Sequence, residues 1–301
     1  MKKLNINGVL LVDKPIGFSS NQVLQKAKRL FNANKAGHTG SLDPLATGIL
    51  PICFGEATKF SQHLLDADKA YQVEGILGKK TTTGDAEGEV IVNLDPSGVT
   101  QEQLQQTIQE FQGEIEQIPP MFSALKQNGQ PLYKLARQGI EVTRAARRIT
   151  IYSIELNDFT LPKMHLTVHC SKGTYIRTLV EDIGHQLGCE AHVSMLRRIK
   201  TGFYQSDESY TLEQLENILA EQGLEGLQSL LLPVDSTIHD WPTVSLSEEE
   251  AFYIRRGQEI VMTNVIAENG LVRLVMNGEQ FIGVGEVIEL NRIAPRRLVN
   301  G

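Results

Sequence analysis

Apolar residues recur along this chain with two different periods. After Ser19-x-x-Gln22, the residues Val23, Leu24, Ala27, Leu30 and Phe31 fall three or four apart, the stripe of an amphipathic helix. A Ser or Thr followed three residues later by Gln can satisfy the first free amides of a helix reciprocally. The same start stands at Thr100-x-x-Gln103, ahead of Leu104, Ile108 and Phe111, with Gly113 as the stop. It stands again at Thr211-x-x-Gln214, ahead of Leu215, Ile218 and Leu219. A fourth helix is predicted from about Thr174, carrying Ile176, Val180, Ile183 and Leu187 and ending at Gly188.

Elsewhere the period is two. In AYQVEGILG, Tyr71, Val73, Gly75 and Leu77 share one face. ITIYSIEL and MHLTVHC alternate likewise and are expected to pair as antiparallel neighbours through NDFTLPK. His165, His169 and Cys170 lie in that alternation, so they read as strand residues rather than a metal site. The tail, GLVRLVMNGEQFIGVGEVIELNRIAPRRLV, reads as short strands between Gly and Asn turns. The expected class is α+β: a mixed, mainly antiparallel sheet in a catalytic domain over 1–235, then a small β-rich domain over 236–301. The Pro- and Asp-rich stretch LPVDSTIHDWPTV marks the boundary.

Composition narrows the classes. The chain has 301 residues and only short apolar runs, and GVLLV near the start stops at Asp13-Lys14-Pro15, too short for a secretory core. A cytoplasmic protein without membrane contact is expected, with three unpaired cysteines as buried thiols. The net charge of −7 gives no global basic footprint for a polyanion. The basic residues nevertheless cluster: Arg144, Arg147 and Arg148; Arg197, Arg198 and Lys200; Arg255 and Arg256; Arg296 and Arg297. Residues 119–148 form a long, basic, weakly periodic excursion that holds Phe122 and Tyr133, a mixture that suits polynucleotides.

The chemistry points to AGHTGSLDPLATGILP, residues 36–51. Asp43 before Pro44 could be a helix N-cap with proline in the first turn. Alternatively, the glycines at 37, 40 and 48 clear room for a ligand while Pro44 stiffens the aim of Asp43. In that second case a nearby cation is needed to keep the carboxylate ionised.

Five ordered blocks decide how this stretch is read. GVLLVDKPIGFSS, KAGHTGSLDPLATGILPICFGEATKF, DKAYQVEGILGKKTTTGDAEG, PPMFSALKQNGQPLYKLARQGIEV and CSKGTYIRTLVEDIG resemble the bacterial tRNA pseudouridine-55 synthase family of the TruB type. The tail is similar to that family's small C-terminal RNA-binding domain of the PUA type. The resemblance implies a tRNA-modifying isomerase that turns the T-loop uridine at position 55 into pseudouridine, by base flipping and without a cofactor or a metal.

By the same resemblance, Asp43 is the catalytic acid, Tyr71 stacks on the everted uracil and Arg177 partners Asp43. It also implies substrate-binding roles for His38, Tyr175, Leu196 and Asp85. On residues alone, Tyr71 reads as a core aromatic on an alternating strand, Arg177 as an exposed pair with Glu181 one turn on, and Asp85 as a turn former after Gly84. Lys69 reads as a phosphate contact or surface charge. The expected partner is tRNA through its T-loop and T-arm, with the enzyme acting as a monomer. A non-catalytic tRNA-binding or remodelling protein is the alternative; a glycoside hydrolase would need Asp85 as a second flanking acid.

Overall fold

The computed structural model describes residues 2–262, 270–288 and 291–300. Its main sheet has nine strands, seven of them along one path: Gly8–Lys14, Thr47–Phe54, Ala191–Thr201, Lys69–Leu77, Lys163–Cys170, Arg147–Thr160 and Gly113–Gln117. Every neighbouring pair on this path is antiparallel except Thr47–Phe54 with Ala191–Thr201, which run parallel. That parallel joint is short, pairing Arg197 with Thr47 and Arg198 with Gly48. Arg147–Thr160 and Lys163–Cys170 form the expected hairpin.

The predicted helices lie where their caps put them. Ser19, Thr100 and Thr211 each accept from the backbone amide three residues on, and the Gln at that position accepts from the cap amide. The helices run Ser20–Leu30, Gln101–Glu110 and Leu212–Gln228, the last broken by a kink at Gly223. Ile176–Gln186 buries Ile176, Leu179, Val180 and Ile183 against the sheet that carries Val73, Leu166 and Val193. Each such aliphatic side chain contributes about 1.5–3 kcal/mol relative to exposure. Ser20–Leu30 packs Val23, Leu24, Ala27 and the following Phe31 on Leu10, Leu50, Ile52 and Phe54, and the Leu212–Gln228 helix joins that cluster. The chain is thus α+β, with the site strands clamped between two apolar clusters.

Beyond residue 242 a five-stranded sheet forms in the order Thr243–Leu246, Gly270–Met276, Gln280–Ile288, Arg292–Leu298, Ile260–Val261. The sequence reading anticipated strands here but not the helix Glu248–Arg255. Its capping box, Ser247 with Glu250, was legible in the same way as the other three. Before the Arg147–Thr160 strand begins, excursion 119–148 holds two two-residue strands and a short helix, Leu132–Ala136, and it is largely exposed. No helix among the described residues is long and apolar enough to cross a membrane.

Candidate active site

The Asp43 loop is built from outside itself. Ser20, in the first turn of its helix, accepts from the amide of Leu42 at 2.7 Å and donates to the Leu42 carbonyl at 3.1 Å. On the far side of Asp43, the buried Lys14 ammonium donates to the carbonyls of Pro15, Pro44 and Ala46 at 3.0, 3.3 and 2.5 Å. The amide of Ala46 closes a turn on the Asp43 carbonyl at 3.1 Å, and the chain then enters the Thr47–Phe54 strand. No helix follows Pro44, so the N-cap reading of Asp43 is corrected: the carboxylate caps nothing and projects from a pinned loop.

What it meets is Arg177. The Arg177 Nη2 atom lies 3.0 Å from Asp43 Oδ2, with the guanidinium side chain 6% exposed and the carboxylate 44% exposed. The alternative pairing of Arg177 with Glu181 is not formed. Its Nη1 donates to the Thr83 carbonyl at 2.7 Å and lies 3.7 Å from Asp85 Oδ2, while Nη2 also donates to the Phe122 carbonyl at 2.7 Å. Asp85 is itself buried, accepting from Thr83 Oγ1 at 2.5 Å and from the Glu87 amide at 3.1 Å. It stands behind Arg177 rather than facing open space, so it is no second flanking acid for a glycosidase.

The helix that carries Arg177 is set by an amide clamp. Tyr175 at its N-cap donates its amide to Gln117 Oε1 at 2.8 Å and accepts from Gln117 Nε2 at 3.1 Å. Asp43, Tyr71, Tyr175, Arg177 and Leu196 all line one cavity of about 290 Å³. These side chains come from four separate segments, with Tyr175 and Arg177 sharing the start of one helix. His38 is not in that lining. It lies on the short strand Ala36–His38 with its Nδ1 atom buried and unpartnered, and burial together with the Arg198 charge depresses its pKa.

Burial is also the largest influence on Asp43 and pushes its carboxyl above the ordinary value; Asp85 adds to this, while Arg177 and Lys14 oppose it. Burial raises the Tyr71 phenol, with the Arg198 guanidinium pulling the other way, and brings the Lys14 ammonium down to about 8. The site therefore holds a carboxylate against its own desolvation by surrounding it with fixed cations.

Arg198 was read from sequence as part of a surface cluster; the structure corrects this. Its side chain is among the largest fully buried ones and lines the cavity. Nε donates to the Ile49 carbonyl at 2.9 Å and Nη2 to the Gly40 carbonyl at 3.2 Å, while the Arg198 backbone lies opposite Tyr71 in the sheet register. One arginine thus ties the Asp43 loop to the Tyr71 strand. Arg197 faces away and pairs bidentately with Asp13, at 3.0 and 2.8 Å. Lys69 serves neither phosphate nor solvent: its ammonium caps the end of the Ser61–Asp66 helix at the carbonyls of Leu64, Leu65 and Ala67. Nothing local in the sequence distinguishes Arg198 from Arg197; alternation along the Ala191–Thr201 strand was the one available signal.

The comparisons with known proteins agree along the whole chain. Residues 28–176 match the model of the TruB family pseudouridylate synthase N-terminal domain, 177–239 the tRNA pseudouridylate synthase B C-terminal domain, and 242–299 the pseudouridine synthase II TruB C-terminal model. The tRNA pseudouridine synthase B of Stutzerimonas stutzeri is 55% identical over 295 residues, covering 98% of this chain and 96% of the relative. Its counterpart from Coxiella burnetii is 51% identical over 297 residues, covering 99% and 96%. Among solved structures, a chain of an H/ACA RNP bound to a substrate RNA containing 2′-deoxyuridine shares the fold, with a TM-score of 0.74 at 23% identity over 98% of this chain and 85% of that one. Matching models from residue 28 to 299 and relatives above 50% identity establish that the chain belongs to the TruB family of pseudouridylate synthases.

Proposed function

We propose that this chain isomerises the T-loop uridine of tRNA, at position 55, to pseudouridine. One observation carries the assignment: the Asp43 carboxylate, 3.0 Å from the buried Arg177 guanidinium, opens into a cavity bordered by Tyr71 and Leu196. The reaction breaks the N1–C1′ bond, forms C5–C1′, moves the C5 proton away and returns a proton to N1, with no net change in composition. A carboxylate beside the ribose can attack C1′ or take a proton from C2′; both routes use ionised Asp43. Arg177 keeps that charge in place, and its two backbone carbonyl contacts keep Arg177 from following its partner into solvent.

The uridine must leave its stack to reach Asp43, at a cost of a few kcal/mol. Stacking on Tyr71 would return about 1–3 kcal/mol. Tyr175 and Leu196 would bound the base on its other sides, His38 would meet the RNA near the site of eversion, and Asp85 would act on substrate through Arg177. The exposed basic residues of 119–148 and the five-stranded C-terminal sheet supply the phosphate-binding surfaces, as a catalytic unit over 1–235 and an RNA-binding unit over 236–301. The enzyme works as a cytoplasmic monomer, which sedimentation at micromolar concentration checks.

Purified protein incubated with an unmodified tRNA transcript is expected to form pseudouridine in the T-loop, read by chemical mapping. Asp43→Asn is expected to abolish the product while tRNA still binds. Tight binding without product by the unaltered chain would instead identify a tRNA-remodelling protein.

A further inference from the structure

Arg177 stands in the first turn of the Ile176–Gln186 helix, and that helix has no side-chain cap of its own. Tyr175 at its N-cap bonds nothing in the first turn through its side chain, whereas Ser19, Thr100, Thr211 and Ser247 each complete a capping box. The amide and the carbonyl of Tyr175 are instead both taken by the Gln117 side chain, 58 positions away, at 2.8 and 3.1 Å. A side-chain amide thus supplies the two bonds that the backbone of a neighbouring strand would supply.

Gln117 ends the Gly113–Gln117 strand and is buried, at 3% exposed. Excursion 119–148 leaves the sheet just after it and returns at Arg147, directly opposite Gln117 in the ladder. Further along, the Phe122 carbonyl accepts from Arg177 Nη2 at 2.7 Å. Between these two contacts run Ile118, Pro119, Pro120 and Met121, and successive prolines with fixed φ stiffen that spacer. The root of the excursion therefore grips the Arg177 segment twice, once at its backbone and once at its guanidinium. Tyr175 and Arg177 both border the cleft; Gln117 does not, and it acts on substrate only through them.

We propose that Gln117 is a positioning residue for the isomerisation: by holding both backbone groups of Tyr175, it aims Arg177 at Asp43. The inference rests on the reading in which ionised Asp43 does the chemistry and Arg177 sustains its charge. A glutamine that merely joined a strand to a helix would affect stability alone. This one joins them at the residue from which the catalytic guanidinium is launched. Without it the Tyr175 amide and carbonyl must find other partners, and the start of the helix shifts. A displacement of about 1 Å in a reacting constellation costs about 100-fold in rate. The loss falls on turnover rather than on tRNA affinity, because the cations of the excursion stay in place.

Gln117→Met keeps the length of the side chain and deletes both bonds. Single-turnover rates at saturating tRNA are expected to fall about 10–100-fold, with the dissociation constant changed less than about two-fold. The midpoint of the acid limb should rise, because a displaced Arg177 no longer opposes the burial of Asp43. In an Arg177→Met background, Gln117→Met should cost less than about three-fold more. Gln117→Glu retains the acceptor for the Tyr175 amide and is expected to fall between Gln117→Met and the parent. It carries the same measurements should Gln117→Met give no cooperative unfolding in urea. A lowered unfolding midpoint with an unchanged rate and acid limb would reduce Gln117 to a strand–helix tie and overturn the proposal. Losses that multiply with those of Arg177→Met, or a loss confined to tRNA binding, would overturn it as well. The unaltered chain is the control. No pseudouridine from it sinks the catalytic reading, whereas product from it beside an unaffected Gln117→Met sinks this inference alone.

Discussion

Gly48 lies directly across the parallel joint of the sheet from Arg198, so close that a Cβ at Gly48 would fall 2.1 Å from the Arg198 carbonyl oxygen. That contact brings the Asp43 loop and the Tyr71 strand into one unit, because Arg198 then reaches the carbonyls of Ile49 and Gly40. Gly48 also has φ +101, a conformation that side chains rarely adopt.

Gly48→Ala is therefore expected to destabilise the chain by about 2–4 kcal/mol, through backbone overlap together with strain. The measurement is urea unfolding followed by fluorescence. A variant within 0.5 kcal/mol of the parent would show that the joint yields freely.

Arg177→Lys keeps the charge and loses the fork that serves Asp43, Thr83 and Phe122 at once. Turnover is expected to fall by about 10²–10³-fold with little change in KM for tRNA, the size of loss seen when one fixed charge-stabilising group is removed from a site. Asp85→Asn should cost activity in the parent and much less in Arg177→Lys, because Asp85 acts through the guanidinium. Steady-state kinetics on the four combinations decide this; additive losses would assign Asp85 a separate role.

The rate should also depend on acid. Burial raises the Asp43 carboxyl above its usual value, and the chemistry uses the ionised form. Single-turnover rates are expected to drop as pH falls, with a midpoint above the ordinary carboxylate value of 3.8. Arg177→Met, which removes the opposing charge, should move that midpoint further up. A midpoint that stays put would separate the acid limb from Asp43.

Lys69 makes a stability prediction of definite sign. Burial lowers its folded pKa to about 8 from 10.5. Between those values the folded chain binds fewer protons than the unfolded one. Its contribution to stability thus grows as pH rises across the window and is lost as pH falls through about 8. Lys69→Met should remove a slope of up to about 1.4 kcal/mol per pH unit from that range. Chemical denaturation at pH 8 and 9.5 compares the two proteins, and identical slopes would refute the assignment.

Three helix starts were legible before any coordinates, because Ser19 with Gln22, Thr100 with Gln103 and Thr211 with Gln214 act over a single turn. The alternation in AYQVEGILG and MHLTVHC likewise fixed which residues face inward, since side chains on a strand alternate whatever lies beside it. Asp43, Tyr71 and Arg177 stood out by resemblance to a family, and their shared cavity was an expectation.

Where local reasoning stood alone, it chose local partners. It offered Glu181 to Arg177, a helix to Asp43 and open solvent to Arg198. The sequence determined the caps, the strand faces and the residue types needed for the chemistry, all of which depend on near neighbours. Only the tertiary structure decided that Arg177 turns to Asp43, that Asp85 stands behind it, and that Arg198 is buried, paired in register with Tyr71. The reason is physical: a buried charge takes its partners from whatever the sheet order brings within about 4 Å, and here the strand pairing brings the Arg198 guanidinium to the Ile49 carbonyl, 149 positions away.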